Sequence, residues 1–316
     1  MENLIEIAGL RKSYGRHRAL DGIDLTVRAG QVHGLLGSHG AGKTTILRIL
    51  LGLIRADAGT VRLFGGDPWR DAARLHRRLA YVPADVMLWP GLSGGEAIDL
   101  LGRLGGGLDP QRRSSLIERL ELDPARKARA YSRADRQKAG LVAAFASGAE
   151  LLVLDEPAAG LGPALEATLG DLVREARASG RTVLLASRLI SEVEAVCDET
   201  GIVRDGKILD AGALAEFRRG MTTSIDARLA DPGHAVGLSA LPGVHGVDVL
   251  DGKVHCRVEA TGLGDVLRLL ASAGIRSLVS RPLTLEEQFL RPGDTAAAGP
   301  AARTGHEAAR AGRVPG

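Results

Sequence analysis

The stretch Gly37–Thr44, "GSHGAGKT", limits what this chain can fold into more than any other short segment. It has the form G-x-x-x-x-G-K-[ST] and lies between an apolar run, "QVHGLLG", and a helical pattern beginning at Lys43, "KTTILRILLGL". Strand, glycine loop, helix is the order that wraps successive backbone N–H groups around an anion. Gly37, Gly40 and Gly42 let the main chain curl tightly, and the helix starting near Lys43 adds the positive end of its dipole. Ser38, His39 and Ala41 complete the cradle. In this reading Lys43 reaches the β- and γ-phosphates of a bound nucleotide, Thr44 ligates Mg²⁺ and Thr45 bonds the α-phosphate. The alternative is a glycine turn carrying an exposed lysine.

A second element supports the phosphate reading. The run "LLVLDEP" is expected to be a buried strand ending at Asp155, about 110 residues after the loop, where the carboxylate can complete the magnesium shell. Glu156, next along, is placed to orient or deprotonate an attacking water. Alone, Asp-Glu after a strand is an ordinary solvated loop. Paired with Gly37–Thr44 it points to a site for a magnesium-bound nucleoside triphosphate.

Around these elements the chain reads as α/β. Residues 4–36 alternate β-like runs with turns, and "TVRLFG" and "LAYVP" add strands. Residues 93–147 are mostly helical; "ELLVLDEP" and "RTVLLAS" then return as buried, parallel-type strands separated by the helix "PALEATLGDLVREARAS". This first domain, residues 3–220, closes with two short strands around an Asp-Gly turn, "GIVRDGKILDAG", and a helix, "ALAEFRR". Residues 221–291 read as a small α+β accessory domain with a hairpin turning at Asp251-Gly252 and a last helix, "TLEEQFLR". Residues 292–316, rich in Ala, Gly and Pro, read as a disordered tail.

Composition excludes several function classes. The weakly polar runs "TTILRILLGLI" and "AGLVAAFASGA" are interrupted by Arg48 or stop at Glu150, short of the roughly 18 to 20 apolar residues a membrane span needs. Any pore must come from another chain. The N-terminus carries Glu2 and Glu6 and no cationic region before an apolar core, so a cytoplasmic location is expected. Cys197 and Cys256 stand far apart with no CxxC partner, consistent with reduced thiols. A net charge of +3, with arginines interleaved among acids, and 3% aromatic residues argue against a nucleic-acid partner.

The segments "GLLGSHGAGKTT" and "LLVLDEPAAGL", the upstream "KSYGRHRALDGIDLTVRAGQV" and the spacing among them resemble the nucleotide-binding subunit of ABC transporters, over residues 3 to about 220. The resemblance implies a P-loop NTPase core with an antiparallel β subdomain and a helical insert. ATP and Mg²⁺ would be its cofactors, and ABC-type ATPase activity its chemistry. It also implies a separate transmembrane permease, a second nucleotide-binding domain in a homo- or heterodimer, and a position on the inner face of the cell membrane. By the same resemblance Tyr14 stacks on adenine; capping a strand end is the alternative. The ending "RPLTLEEQFLR" looks like that of the drug and antibiotic exporter branch, the daunorubicin-resistance type.

One motif misleads. "LSGGE" at residues 92–96 is a near copy of the family signature Leu-Ser-Gly-Gly-Gln, but it stands some 60 residues before Asp155, whereas the family places the signature about 20 before. That slot holds "YSRADRQK", with Tyr131, Ser132, Arg133, Ala134 and Asp135 at the five signature positions. Ser93 and Glu96 instead fit a helix N-cap and capping box. In "DVMLWP", Trp89 is either a contact to the membrane subunit or part of the helical core. Ala84 stands where relatives carry Gln, Ala134 where they carry Gly, Gly162 where they carry Asp and Arg188 where they carry the switch His. Ser132 keeps a hydroxyl for the opposing subunit's γ-phosphate, and Arg188 supplies charge there without a titratable proton. Two readings follow: a slow ATPase subunit driving export, which is the expectation, or an ATP-gated, non-hydrolysing partner or regulator.

Overall fold

The computed structural model describes residues 2–209, 222–250, 252–259 and 261–282. The chain divides into two compact units, Met1–Met221 and Thr222–Gly316.

Two kinds of hydrophobic pattern build two sheets in the first unit. Strands β1 (Asn3–Tyr14) and β2 (His17–Arg28) alternate: Ile23, Leu25 and Val27 are buried while Asp24, Thr26 and Arg28 face out or lie at the rim. That is the period of a sheet covering a core with one face. With β4 (Ala58–Leu63) they form an antiparallel sheet in the order β2-β1-β4. By contrast, β3 (Val32–Leu36), β6 (Leu151–Asp155) and β7 (Thr182–Ser187) are buried at every position, as parallel strands covered on both faces are. They lie inside a six-stranded sheet, order β5-β6-β7-β3-β8-β9, with β5 (Leu79–Val82), β8 (Glu199–Arg204) and β9 (Lys207–Ile208). All neighbours pair parallel except the antiparallel β8 and β9.

Helix α1 (Lys43–Leu50) joins the two sheets. Its Ile46, Leu47 and Leu50 pack in one cluster with Ile5, Leu10 and Ile23 from the antiparallel sheet and Leu35 and Val153 from the parallel one. Burying each such side chain contributes about 1.5–3 kcal/mol. The C-terminal ends of β3 and β6, with β7 between them, therefore open on the same edge. That is where open α/β sheets place ligands.

The short helix α2 (Ala72–Leu75) precedes β5, and the helical insert follows it: α3 (Gly94–Leu104), α4 (Pro110–Arg119) and α5 (Arg133–Ala146). Ser93 caps α3, with Glu96 completing the capping box, so "LSGGE" is a helix start. Asp109 caps α4 and is followed by Pro110 in the first turn. Buried Arg181, just before β7, donates to the carbonyls of Ala144, Phe145 and Ala149. It satisfies the end of α5 and ties the insert to the sheet; burial lowers its pKa to about 10. Helix α6 (Pro163–Ala178) links β6 to β7, and α7 (Ile190–Val196) links β7 to β8.

The second unit has an antiparallel sheet, order β11-β12-β10-β13, of β10 (Thr222–Leu229), β11 (Val244–Leu250), β12 (Lys253–Glu259) and β13 (Ile275–Pro282). Helix Leu263–Ser272 buries Val266 and Leu270 against Ile225, Val254, Cys256 and Val258. The expected helices "ALAEFRR" and "TLEEQFLR", the hairpin residue Asp251 and the tail 292–316 lie outside the described residues.

Candidate nucleotide site

Three glycines shape the loop between β3 and α1, for different reasons. Gly40 has φ +77° with nothing near a would-be Cβ, so only its backbone conformation calls for glycine. At Gly37 a Cβ would come 2.5 Å from the carbonyl oxygen of Val203. Gly42 combines both: φ is +113°, and a Cβ would lie 2.8 Å from Leu20 Cδ2 and 2.9 Å from the Ala19 oxygen.

Lys43 folds back over this loop. It is 5% exposed; its Nζ donates to the carbonyl oxygens of Gly37 (2.5 Å) and Ser38 (3.1 Å) and lies 3.3 Å from Glu156 Oε1. Burial pulls its pKa down, and Glu156 opposes that shift. Thr44 Oγ1 donates to Asp155 Oδ2 at 3.0 Å across the sheet edge. Asp155 is 2% exposed, and its Oδ1 is buried with no hydrogen-bond partner among the described residues. Burial raises its pKa, the Thr44 hydroxyl opposing. A threonine hydroxyl beside a carboxylate with one uncommitted oxygen is a hard oxygen donor set, which fits Mg²⁺.

Glu156 sits in a strained position. Its φ of +49° is one of four positive values among described non-glycine residues, a conformation costing about 1–2 kcal/mol that gathers at functional sites. Its N–H donates to Ala186 O at 2.8 Å, and its carboxylate is bridged between Lys43 and Arg188, whose Nε donates to Oε2 at 3.1 Å. The loop residues Ser38 to Thr45 line one open cleft of about 730 Å³ with Tyr14, Asp155, Glu156 and Arg188. Tyr14 is half exposed there, with Lys12 Nζ 5.7 Å from its ring centre.

A profile of the ABC transporter family matches residues 20–159. The chain is 36% identical over 303 residues to the daunorubicin resistance ATP-binding protein DrrA3 of Streptomyces coeruleorubidus, covering 92% of this chain and 95% of that one. The chain belongs to the ABC transporter family. This ABC cassette is also 36% identical over 314 residues to the Nod factor export ATP-binding protein I of Ralstonia nicotianae, over 91% of this chain and 93% of that one. A solved dimeric ATP-binding cassette, in a post-hydrolysis state bound to ADP and Pi, shares its fold: the TM-score is 0.59 at 20% identity, over 65% of this chain and 97% of that one.

Within the ABC cassette Ser132 is the N-cap of α5. Its hydroxyl donates to Asp135 Oδ2 (2.9 Å) and accepts from the Asp135 N–H (3.1 Å). It is not among the residues lining its own chain's cleft. Arg188, expected at a γ-phosphate, lines the cleft, and its Nε donates to Glu156 Oε2. Trp89 is 46% exposed and Met87 77%, which removes the helical-core reading of Trp89. One residue not expected at the site, Arg133, lines its cleft. Glu192, in the first turn of α7, accepts the Ser187 hydroxyl, and burial pushes its pKa up to about 7. Arg133 had no signal beyond its place in the signature slot.

Proposed function

We propose that this ABC subunit binds MgATP in the cleft and hydrolyses it slowly, driving export of a drug-like or antibiotic compound through a separate membrane permease. The observation that carries the reading is Asp155, held by Thr44 with its second oxygen uncommitted, beside buried Lys43. Thr44 and Asp155 would hold Mg²⁺, which when bound withdraws charge from the phosphates. The N–H groups of Gly37 to Thr45 cradle the phosphate chain. Lys43 exchanges its carbonyl contacts for phosphate oxygens, and Tyr14 stacks on the adenine for roughly 1–3 kcal/mol. Glu156 receives the proton of the attacking water while Arg188 holds its carboxylate in place. Ser132 faces the nucleotide of a second cassette.

The domain reading that goes with this is a nucleotide-binding domain over residues 3–220, an accessory domain over 221–291 and a tail beyond. No helix among the described residues is long and apolar enough to cross a membrane, which supports a peripheral subunit on the inner face of the membrane. Two relatives at the same 36% identity are named for daunorubicin resistance and for Nod factor export. Such different cargo on equally similar cassettes supports selection of the compound by the permease.

The test is MgATP binding by the subunit and ATP turnover by the assembled transporter. Lys43→Ala should abolish binding; Glu156→Gln should preserve binding and abolish turnover. Turnover that survives Glu156→Gln would move the base elsewhere. Binding without any turnover in the unaltered complex would establish the ATP-gated, non-hydrolysing role, which the losses at Ala84, Gly162 and Arg188 favour.

A further inference from the structure

Arg133 is the first residue of α5, following its N-cap Ser132, and occupies a signature position where the family pattern carries glycine. It lines the same cleft as Lys43, Asp155 and Glu156, and its Nη2 donates to the Ala84 carbonyl oxygen at 3.2 Å. Ala84 is itself a departure, standing where relatives carry Gln. Two departures 49 residues apart in sequence are thus in contact.

The contact does not stand alone. Arg136 Nε donates to Val86 O at 3.2 Å and Gln137 Nε2 to Pro83 O at 3.4 Å. Positions 133, 136 and 137 share one helix face. From it they hold the carbonyls of Pro83, Ala84 and Val86, the stretch by which the chain leaves β5 for the helical insert. Pro83, Ala84 and Asp85 also form part of the cleft wall. Any shift of that wall is therefore pulled on by the N-terminus of α5, where Ser132 sits.

We propose that Arg133 is a positioning residue. It fastens the start of α5 to the cleft-lining segment 83–86 of its own chain, so that nucleotide entering the cleft and the N-terminus of α5 move together. The proposal rests on the nucleotide site described above.

The test uses the full-length subunit, at concentrations where sedimentation shows it monomeric, with Arg133→Ala and Arg133→Lys. Three quantities are compared: the MgATP dissociation constant, the amide exchange of residues 84–87, and the protection that MgATP confers on residues 134–138. A charged hydrogen bond on a partly wet surface predicts a 3- to 10-fold rise in the dissociation constant for Arg133→Ala. Exchange at 84–87 should quicken, and MgATP protection of 134–138 should be lost, with Arg133→Lys recovering part of each. If Arg133→Ala transmits protection to α5 as the unaltered subunit does, the proposal fails while the site stands. If the unaltered subunit does not bind MgATP, the site reading fails and takes the proposal with it.

Discussion

Replacing Gly42 and Gly40 separately by alanine divides backbone strain from steric overlap in the phosphate loop. Both have positive φ, so each substitution carries a conformational penalty of about 1–2 kcal/mol, larger at Gly42, where φ +113° and ψ −6° lie outside the usual left-handed region. Gly40→Ala meets nothing further, because no atom lies within 4 Å of the new Cβ. Gly42→Ala drives its methyl group to 2.8 Å from Leu20 Cδ2 and 2.9 Å from the Ala19 carbonyl oxygen. Neither neighbour can yield easily. Leu20 is fully buried, and the turn at Gly206, which binds Asp21 N–H and Ala41 O, closes over Ala19 and Leu20 from the other side. Overpacking of this kind costs about 1–3 kcal/mol more. Gly42→Ala should therefore cost about 2–5 kcal/mol and Gly40→Ala about 1–2, a gap of about 2 kcal/mol that comes from the overpacking. With a urea slope of roughly 2–3 kcal/mol per molar, that gap separates the two midpoints by about 1 M. Gly42→Ala should also weaken MgATP binding at least tenfold, because the displaced loop is the start of α1. Equal midpoints for the two variants would refute the claim that close approach, beyond φ, demands glycine at position 42.

The remaining predictions concern side chains. Arg188→Met removes a partner of Glu156 at 3.1 Å, but Arg188 is 44% exposed and Glu156 16%, so the pair lies nearer the aqueous limit and is worth about 1–2 kcal/mol. Turnover of the assembled transporter should then fall about tenfold with little change in KM; a loss of 10³-fold or more would mean that Arg188 meets the transition state directly rather than holding Glu156. Glu192→Gln tests a different consequence of burial. Its folded pKa, near 7, lies above the ordinary 4.5, with Glu156 and Glu166 adding to the burial and the Ser187 hydroxyl opposing. The folded protein therefore binds the extra proton: the stabilisation is complete below pH about 4.5 and is lost as pH rises through about 7, up to about 3 kcal/mol in all. Relative to the unaltered protein, Glu192→Gln should gain stability steadily across that window in urea titrations. A difference that stays constant with pH would remove Glu192 as the source.

What could be read from the sequence was what neighbouring residues decide among themselves. The loop Gly37–Thr45 and the pair Asp155–Glu156 were legible because strand, turn and helix start are contiguous and each element's pattern is local. The false signature at residues 92–96 could be rejected on spacing, and its capping box identified, for the same reason. Helices α2 and α7, of 4 and 7 residues, were missed because so few positions cannot display a helical period. Gly37 was expected for its flexibility, yet what crowds it is a carbonyl of β8, whose approach no local pattern encodes. The same limit governs the substitutions in the cleft. From sequence, Arg188 and Ala84 register as absences, a missing histidine and a missing glutamine. In three dimensions Arg188 holds the carboxylate of Glu156, 32 residues away, and the Ala84 carbonyl is held by Arg133, 49 residues away. At position 188 the substituted side chain takes a new partner within the same cleft, whereas at position 84 the partner of Arg133 is a main-chain carbonyl that any residue would offer. The number of departures from a family pattern is therefore a poor measure of lost activity, and the contacts that replaced them are where the remaining activity should be sought.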